Sequence, residues 1–502
     1  MAKGQIAWML PAFAAMLAVT VVAAGAGVRS AAAARPYRRL DLAAIPAVGR
    51  LLRWPPFLFF LRLPLVVLFV GVILAGLLGE QSPGRNLATL TVWTVWWAAL
   101  PFLALVFGKV WCAVCPWQAL ADWAQRLRLW GVADRPVTFG LAVPPWLRNL
   151  WPAIALFLVL TWLELGYGVT LSPRATAYLA LAMLFLSLYL GLVFARAAFC
   201  RYGCLVGAIT GVYATFAPVE LRGHDRAICR DCAGRDCYHG NALGSPCPTF
   251  QYLGGMERSG SCLLCLECVK SCPEDNVAVS LRPFGSELAA LPRPRWDEAW
   301  LALILVGLTT FHGFVMTPWW GRLTDAVEAW AGLGPTAAFT GLMAAAVVLP
   351  IAAYAGVAAL ARAWGGAGAR VARAAPFIQY AFALLPVAFF YHLAHNAGHL
   401  FLEGGTLVPA LSDPLGWGWN LFGTVDILPG PLLAGPRLVA LQVVCLVVGQ
   451  AYASLVALRV SRRLFAGGRP AWALAPVLAF SLLLSALNLW LLGQPMVHRT
   501  GL

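Results

Sequence analysis

The chain has 502 residues, of which 61% are apolar and 11% charged, against roughly 25% charged in a soluble domain. Mean hydropathy is +0.76. These values exclude a soluble globular enzyme and a disordered chain, and they point to a protein that crosses a bilayer many times. The net charge is +15, and Lys3, Lys109 and Lys270 are the only lysines among its 36 basic residues. The placement of that charge argues for membrane topology, so no nucleic-acid partner is expected.

Apolar runs long enough to span a bilayer, roughly 17–25 residues, occur at 6–28, 57–79, 89–108, 150–168, 175–196, 299–318, 338–360, 376–402, 437–459 and 472–493. We call them spans 1 to 10. Strict alternation is absent, so an all-α polytopic membrane protein is expected. The loops sort by charge. Loop 29–53 carries Arg29, Arg35, Arg38, Arg39, Arg50 and Arg53, and loop 109–149 carries Lys109, Arg126, Arg128, Arg135 and Arg148. Segment 196–298 holds eleven more, and loops 361–375 and 459–471 are also basic. Counting Arg62, thirty of the 36 basic residues fall on this side. The positive-inside rule makes it the cytoplasm, with both termini in the periplasm of a bacterial inner membrane. Span 1 and the following Ser30-Ala31-Ala32-Ala33-Ala34 also fit a secretory signal with a cleavage site, although the Arg cluster behind it argues against export of that loop.

Two cysteine pairs stand at the ends of spans on the basic side. Trp111-Cys112-x2-Cys115-Pro116 follows span 3, and Cys200-Arg201-Tyr202-Gly203-Cys204 follows span 5. Pro116 suits a first helical turn, and Trp117, Leu120, Ala121, Ala124 and Leu127 give the next helix an apolar stripe for the membrane interface. A thiol at a helix start is favoured as a thiolate. Two readings compete: the four cysteines meet as an extra redox or metal site, or they are reduced packing thiols.

Ten of the thirteen cysteines lie between Cys200 and Cys272. In a cytoplasmic segment, metal or redox chemistry is favoured over disulfides. The run Cys262-x2-Cys265-x2-Cys268-x3-Cys272-Pro273 is that of a bacterial [4Fe–4S] ferredoxin, whose fourth cysteine reaches the partner cluster. Cys229-x2-Cys232-x4-Cys237 and Cys247-Pro248 form a looser second set. The motif therefore assigns Cys229, Cys232, Cys237 and Cys272 to one cluster, and Cys247, Cys262, Cys265 and Cys268 to the other. A zinc knuckle is the alternative. The expected division is 1–56 (first span and Arg-rich loop), 57–204 (membrane domain), 205–298 (inserted α+β two-cluster ferredoxin domain) and 299–502 (five-helix membrane domain).

This layout of helix-end cysteine motifs followed by a two-cluster ferredoxin resembles the membrane-bound polyferredoxins of nitrate and nitrous-oxide respiration (the NapH and NosR types) and the methylamine-utilisation ferredoxins. The resemblance covers about residues 57–282. Cys112 and Cys115 are separated by two residues where that family usually has three. Leu205 stands where it usually has Pro, and nothing matches the extracytoplasmic flavin domain of the NosR type. The resemblance implies electron transfer between the quinone pool and a periplasmic redox system, or support of its maturation.

Residues 299–502 lie outside that resemblance and are marked by histidine. His312 lies in span 6, and His392, His395 and His399 share one face of span 8. Intramembrane ionisable groups are functional candidates by default. Haem b held by His312 and a span 8 histidine, a quinol site with Asn396 or Glu403 nearby, and a polar helix–helix contact are the competing readings. A metal-transport site on the span 8 histidines lacks acidic companions within the span. His224 and His239 read as surface residues, Cys445 as core, and Trp319, Trp320, Trp417 and Trp419 as interface anchors. Loop 403–436, with Asp413 and Asp426, reads as a solvated loop or a docking surface.

The expected function is an integral membrane iron–sulfur protein, a quinol dehydrogenase-type component. It would carry electrons through two [4Fe–4S] clusters between the quinone pool and a periplasmic cytochrome or reductase subunit. A maturation factor supplying electrons for assembly of another enzyme is the alternative, and a transporter with a ferredoxin sensor is a third class.

Overall fold

The computed structural model describes residues 3–29, 39–133, 135–290, 294–366 and 371–496. Among the described residues, nine helices are long and apolar enough to cross a membrane. They are span 1 (Lys3–Arg29), span 2 (Phe57–Leu78), span 3 (Leu87–Phe107), span 5 (Pro173–Val193) and span 6 (Trp296–Val315). Span 7 (Pro335–Gly365), span 8 (Ala374–Ser412), span 9 (Gly435–Leu464) and span 10 (Pro470–Leu492) complete the set. The tenth expected span is shorter than the sequence suggested. Span 4 is the 16-residue helix Trp151–Gly166, which ends where Gly168 takes φ +62. Its apolar run continues past the point where the backbone stops being helical.

Prolines open spans 5, 7 and 10, where a missing N–H costs nothing. Burial then ranks the helices. In span 8, 78% of the apolar window is buried inside the protein and in span 6 it is 67%, against 22% for spans 2 and 7. Spans 6 and 8 therefore form the centre, and the outer helices turn their apolar faces to lipid. Small residues allow close approaches: a side chain at Gly449 would strike Phe390 and the Pro386 carbonyl of span 8, and one at Gly76 would strike Pro173 and Ala177 of span 5. Span 1 packs on spans 9 and 10, with Met16 fully buried and Gln450 Nε2 donating to Thr20 Oγ1 at 2.9 Å. It joins the C-terminal bundle as a sixth helix. The Ser30–Ala34 segment lies outside the described residues.

The Arg-rich loops gather at one end of the bundle. Strand β1 (Leu40–Asp41), from the loop after span 1, pairs antiparallel with β3 (Val277–Leu281), which also pairs with β2 (Val219–Gly223). Arg53 pairs with Asp275, and Arg469 N donates to Gly365 O at 2.8 Å. The arginine-poor loops meet at the other end, where Glu80 N donates to Leu415 O at 2.9 Å and Trp319 Nε1 to Gln494 Oε1 at 3.2 Å. The basic and the arginine-poor loops are thus sorted to opposite ends of the bundle.

A buried ion network clamps the sheet to the membrane helices. Arg282 pairs with Glu220 at 3.2 Å and with Glu287, while Arg222 pairs with Glu287 at 3.0 Å. Arg282 also donates to the carbonyls of Ala214 and Ala217, both 3.0 Å away. Burial alone would raise the Glu287 carboxyl. Arg282 and Arg222 reverse that and hold it below its ordinary 4.5. A depressed carboxylate contributes stability above its unfolded pKa and loses it as pH falls through the folded value. The sheet end is therefore expected to loosen below about pH 4, before the spans do. Hydrogen exchange of β2 and β3 against pH checks this; protection that stays constant into acid would contradict it.

Among the described residues, π-helical turns occur at Leu90–Trp97, Phe199–Gly203 and His399–Glu403. Such bulges often mark functional sites. Each of these three carries or adjoins a side-chain group described next.

Candidate functional site

Two groups of thiols lie beneath the sheet. Cys229, Cys232, Cys237 and Cys272 ring a small cavity of about 20 Å³ together with Tyr252, Pro273 and Asn276. Cys247, Cys262, Cys265 and Cys268 are neighbours close enough for their thiolates to repel one another. The loop that carries the last three curls because Leu264 and Leu266 take left-handed backbone, φ 55 and 61. The curl aligns cysteines three apart on one side of the loop. Backbone and amide donors aim at the sulfurs: Gln251 N at Cys247 (3.2 Å), Asn276 N at Cys272 (3.4 Å) and Asn276 Nδ2 at Cys229 (3.3 Å). Burial pushes the Cys262, Cys265 and Cys268 thiols up, and neighbouring thiolates add to the effect. Cys237 and Cys268 also repel, so the two groups adjoin.

The helix-end cysteines form a third group. Cys112, Cys115, Cys200 and Cys204 come from two distant motifs, yet they act on one another electrostatically. Burial raises all four, Cys204 to about 11. The unequal spacings are absorbed by the backbone: Cys115 caps the helix Pro116–Arg126, while Cys200 lies in a π turn and Cys204 caps the helix Leu205–Tyr213. Gly207 N donates to Cys204 Sγ at 3.4 Å, and Cys200 Sγ donates to Gln118 Oε1 at 2.7 Å. Gln118 is therefore buried, and the Ala124 and Leu127 side of that helix faces away from the protein. Buried Arg62 pins the helix through Asp122 at 2.9 Å.

Lys109 joins the third group to the second. It is buried, donates Nζ to Gly260 O at 2.9 Å, and its charge acts on Cys112, Cys204 and Cys262. Gly211 and Gly260 sit so close that a side chain on either would strike the other's carbonyl. Lys109 therefore stands between the second and third groups.

From Cys115 an apolar cleft of about 330 Å³ leads into the membrane helices. Trp93, Trp96, Trp97, Trp111 and Trp117 line it, and Thr161 and Glu164 of span 4 close its far side. Sequence reasoning missed Glu164. Its signal was a lone carboxylate inside an apolar run. Glu164 also lines a second cavity, of about 30 Å³, with His312, His392, His395 and Asn396. Span 4 thus brings a carboxylate to the span 8 histidines, and span 8, which runs on past residue 402, carries its own in Glu403: His399 Nδ1 lies 3.0 Å from Glu403 Oε1. Among the described residues, no three His, Cys, Asp or Glu side chains converge on a single metal ion.

The His312 and His395 rings are in edge contact, with centroids 5.3 Å apart, beside a cavity of about 30 Å³. The thiols fit iron–sulfur clusters. Two foursomes beneath the sheet and one at the helix ends each supply four sulfurs with N–H donors aimed at them. The remaining residues are structural: Cys445 is core, His224 pairs with Asp41 at 3.0 Å, and His239 packs edge-on to Tyr238. Asp413 accepts from the Trp417 and Gly418 amides at 2.9 Å and folds its own loop.

Comparison with known proteins bears on this geometry. A family described as "4Fe-4S binding domain" matches residues 89–133, the stretch that carries Cys112 and Cys115. The chain is an iron–sulfur protein of multi-helix membrane type. The match falls on the helix-end motif rather than on the 262–273 run that dominates the sequence. An uncharacterized protein of Methanocaldococcus jannaschii is 27% identical over 232 residues, 44% of this chain and 83% of that protein. No solved structure matches.

Proposed function

We propose that this protein carries electrons between the membrane quinone pool and a redox partner through three [4Fe–4S] clusters. Cys229, Cys232, Cys237 and Cys272 would hold the first, Cys247, Cys262, Cys265 and Cys268 the second, and Cys112, Cys115, Cys200 and Cys204 the third. The clusters supply one-electron relay; the chain's residues fix their order and potentials. The single observation that carries the reading is the position of Cys115. It belongs to a thiol foursome linked through Lys109 to Cys262, and it also lines the apolar cleft. A cleft walled by tryptophans, with one carboxylate, suits a flat apolar carrier of both electrons and protons, which is a quinone.

The Arg-rich end that bears the thiols is assigned to the cytoplasm on the positive-inside rule. The likeness to the NapH and NosR types, with the loops of the other end facing outward, supports a periplasmic cytochrome or reductase subunit as partner. Duroquinol added to the oxidised, purified protein is expected to bleach the cluster absorption. Bleaching by dithionite alone would sink the quinol reading and favour a maturation role. Lys109→Met, which removes a buried cation between two thiol groups, is expected to lower both neighbouring reduction potentials, on the order of tens of millivolts. Potentials unchanged in a redox titration would separate Lys109 from the relay.

A further inference from the structure

The cleft and the histidines share a wall. Trp97, Phe157, Thr161 and Glu164 line both the large apolar cavity and the small polar one beside it. Beside that wall a row of ionisable side chains runs along span 8, joined by ring contacts and by one His–Glu pair. His312 and His395 rings touch at 5.3 Å, His395 and His399 at 5.1 Å, and His399 Nδ1 lies 3.0 Å from Glu403 Oε1. His392 Nδ1 adds Tyr213 Oη at 3.1 Å, and the Tyr391 ring flanks His395 at 6.1 Å. Glu164, His395, His399 and Glu403 are all buried. The file heads away from the thiols. Glu164 stands two residues from the outer end of span 4, and Glu403 sits in the π turn where span 8 reaches the arginine-poor loops. There Leu432 N donates to Phe401 O at 2.7 Å, so loop 404–434 lies over the end of the file. Polar residues in the centre of a membrane bundle are costly, and four in contact in one row, with Glu164 in the same cavity, are more than a helix contact needs.

We propose that Glu164 accepts the protons released when a hydroquinone is oxidised in the cleft, and that the file from His395 through His399 to Glu403 delivers them to the end opposite the thiols. This rests on the quinol reading above. In the step, both hydroquinone O–H bonds break and quinone forms. Two electrons pass, one each, to two oxidised [4Fe–4S] centres at the thiol end, and two protons pass in turn to the Glu164 carboxylate and into the file. Protons and electrons thereby leave by opposite ends, so oxidation on one carrier would separate charge across the membrane.

The test uses the full chain in sealed liposomes, with orientation read by protease access to the cysteine-bearing loops and pH dyes inside and outside. A duroquinol pulse to the oxidised wild type is expected to release protons at the 404–434 end. Glu164→Gln, His395→Gln and Glu403→Gln are each expected to slow duroquinol-driven cluster reduction on the order of 100-fold. All three should leave dithionite reduction and the EPR signals unchanged, and His395→Gln and Glu403→Gln, which do not line the cleft, should also leave quenching of tryptophan fluorescence by duroquinone unchanged. Unchanged EPR signals show that a variant has folded, and Glu403→Gln, at the edge of the bundle, keeps the test open if a central variant does not fold. A wild type that duroquinol cannot reduce overturns the quinol reading and this route together. A wild type that is reduced while the variants match its rate, or that releases protons at the thiol end, overturns the route alone.

Discussion

Replacing Cys115 by serine is expected to cost the protein a whole cluster, about four of about twelve iron atoms per chain. The thiol sits with Cys112, Cys200 and Cys204, and serine leaves three sulfurs and a hard oxygen where four thiolates are needed. Because Cys115 also lines the cleft, the variant should lose reduction by duroquinol while its other two clusters still take electrons from dithionite. Cys272→Ser makes the complementary change. It should remove the cluster of Cys229, Cys232 and Cys237 and leave duroquinol reduction of the other two intact. Iron analysis with EPR reads both. Full iron in Cys115→Ser would reduce the helix-end cysteines to packing thiols.

Glu287→Ala should have the largest effect on stability. The carboxylate is buried, accepts from the Ser259 amide at 2.9 Å, and balances Arg222 and Arg282. Removing one partner from a buried network strands the other charges, which costs about 3–5 kcal/mol. The sheet, the Ser259–Gly260 turn and the loop of Cys262 hang on this network, so iron should be lost as the sheet end unfolds. Thermal unfolding followed by cluster absorbance checks it. A melting curve like that of the wild type would mean that Glu220 and the two backbone carbonyls suffice to hold Arg282.

The membrane architecture was legible in the sequence because lipid imposes a length and a composition on every helix. Nine spans fall where the apolar runs lie, and span 4 ends early only because Gly166 and Gly168 stop the helix. The thiols were legible as types and spacings, since Cys262 to Cys272 crowd one short loop. The meeting of Cys112, Cys115, Cys200 and Cys204 was one of two readings open in the sequence; the π turn that absorbs their unequal spacings was not legible there. Glu164 escaped notice because its importance lies in a wall shared with His395, which only packing creates. That His312 meets His395 across two helices, with centroids 5.3 Å apart, was likewise beyond the sequence, which indicated only their shared depth.

The account rests on three cysteine foursomes holding iron in series. An anaerobic redox titration of the purified full chain, with EPR at each potential and iron and zinc quantified, tests that directly. The prediction is about twelve iron atoms per chain and three one-electron [4Fe–4S] signals, with magnetic coupling between neighbouring centres. Zinc in place of iron, or iron too scarce for even two cubanes, would contradict it.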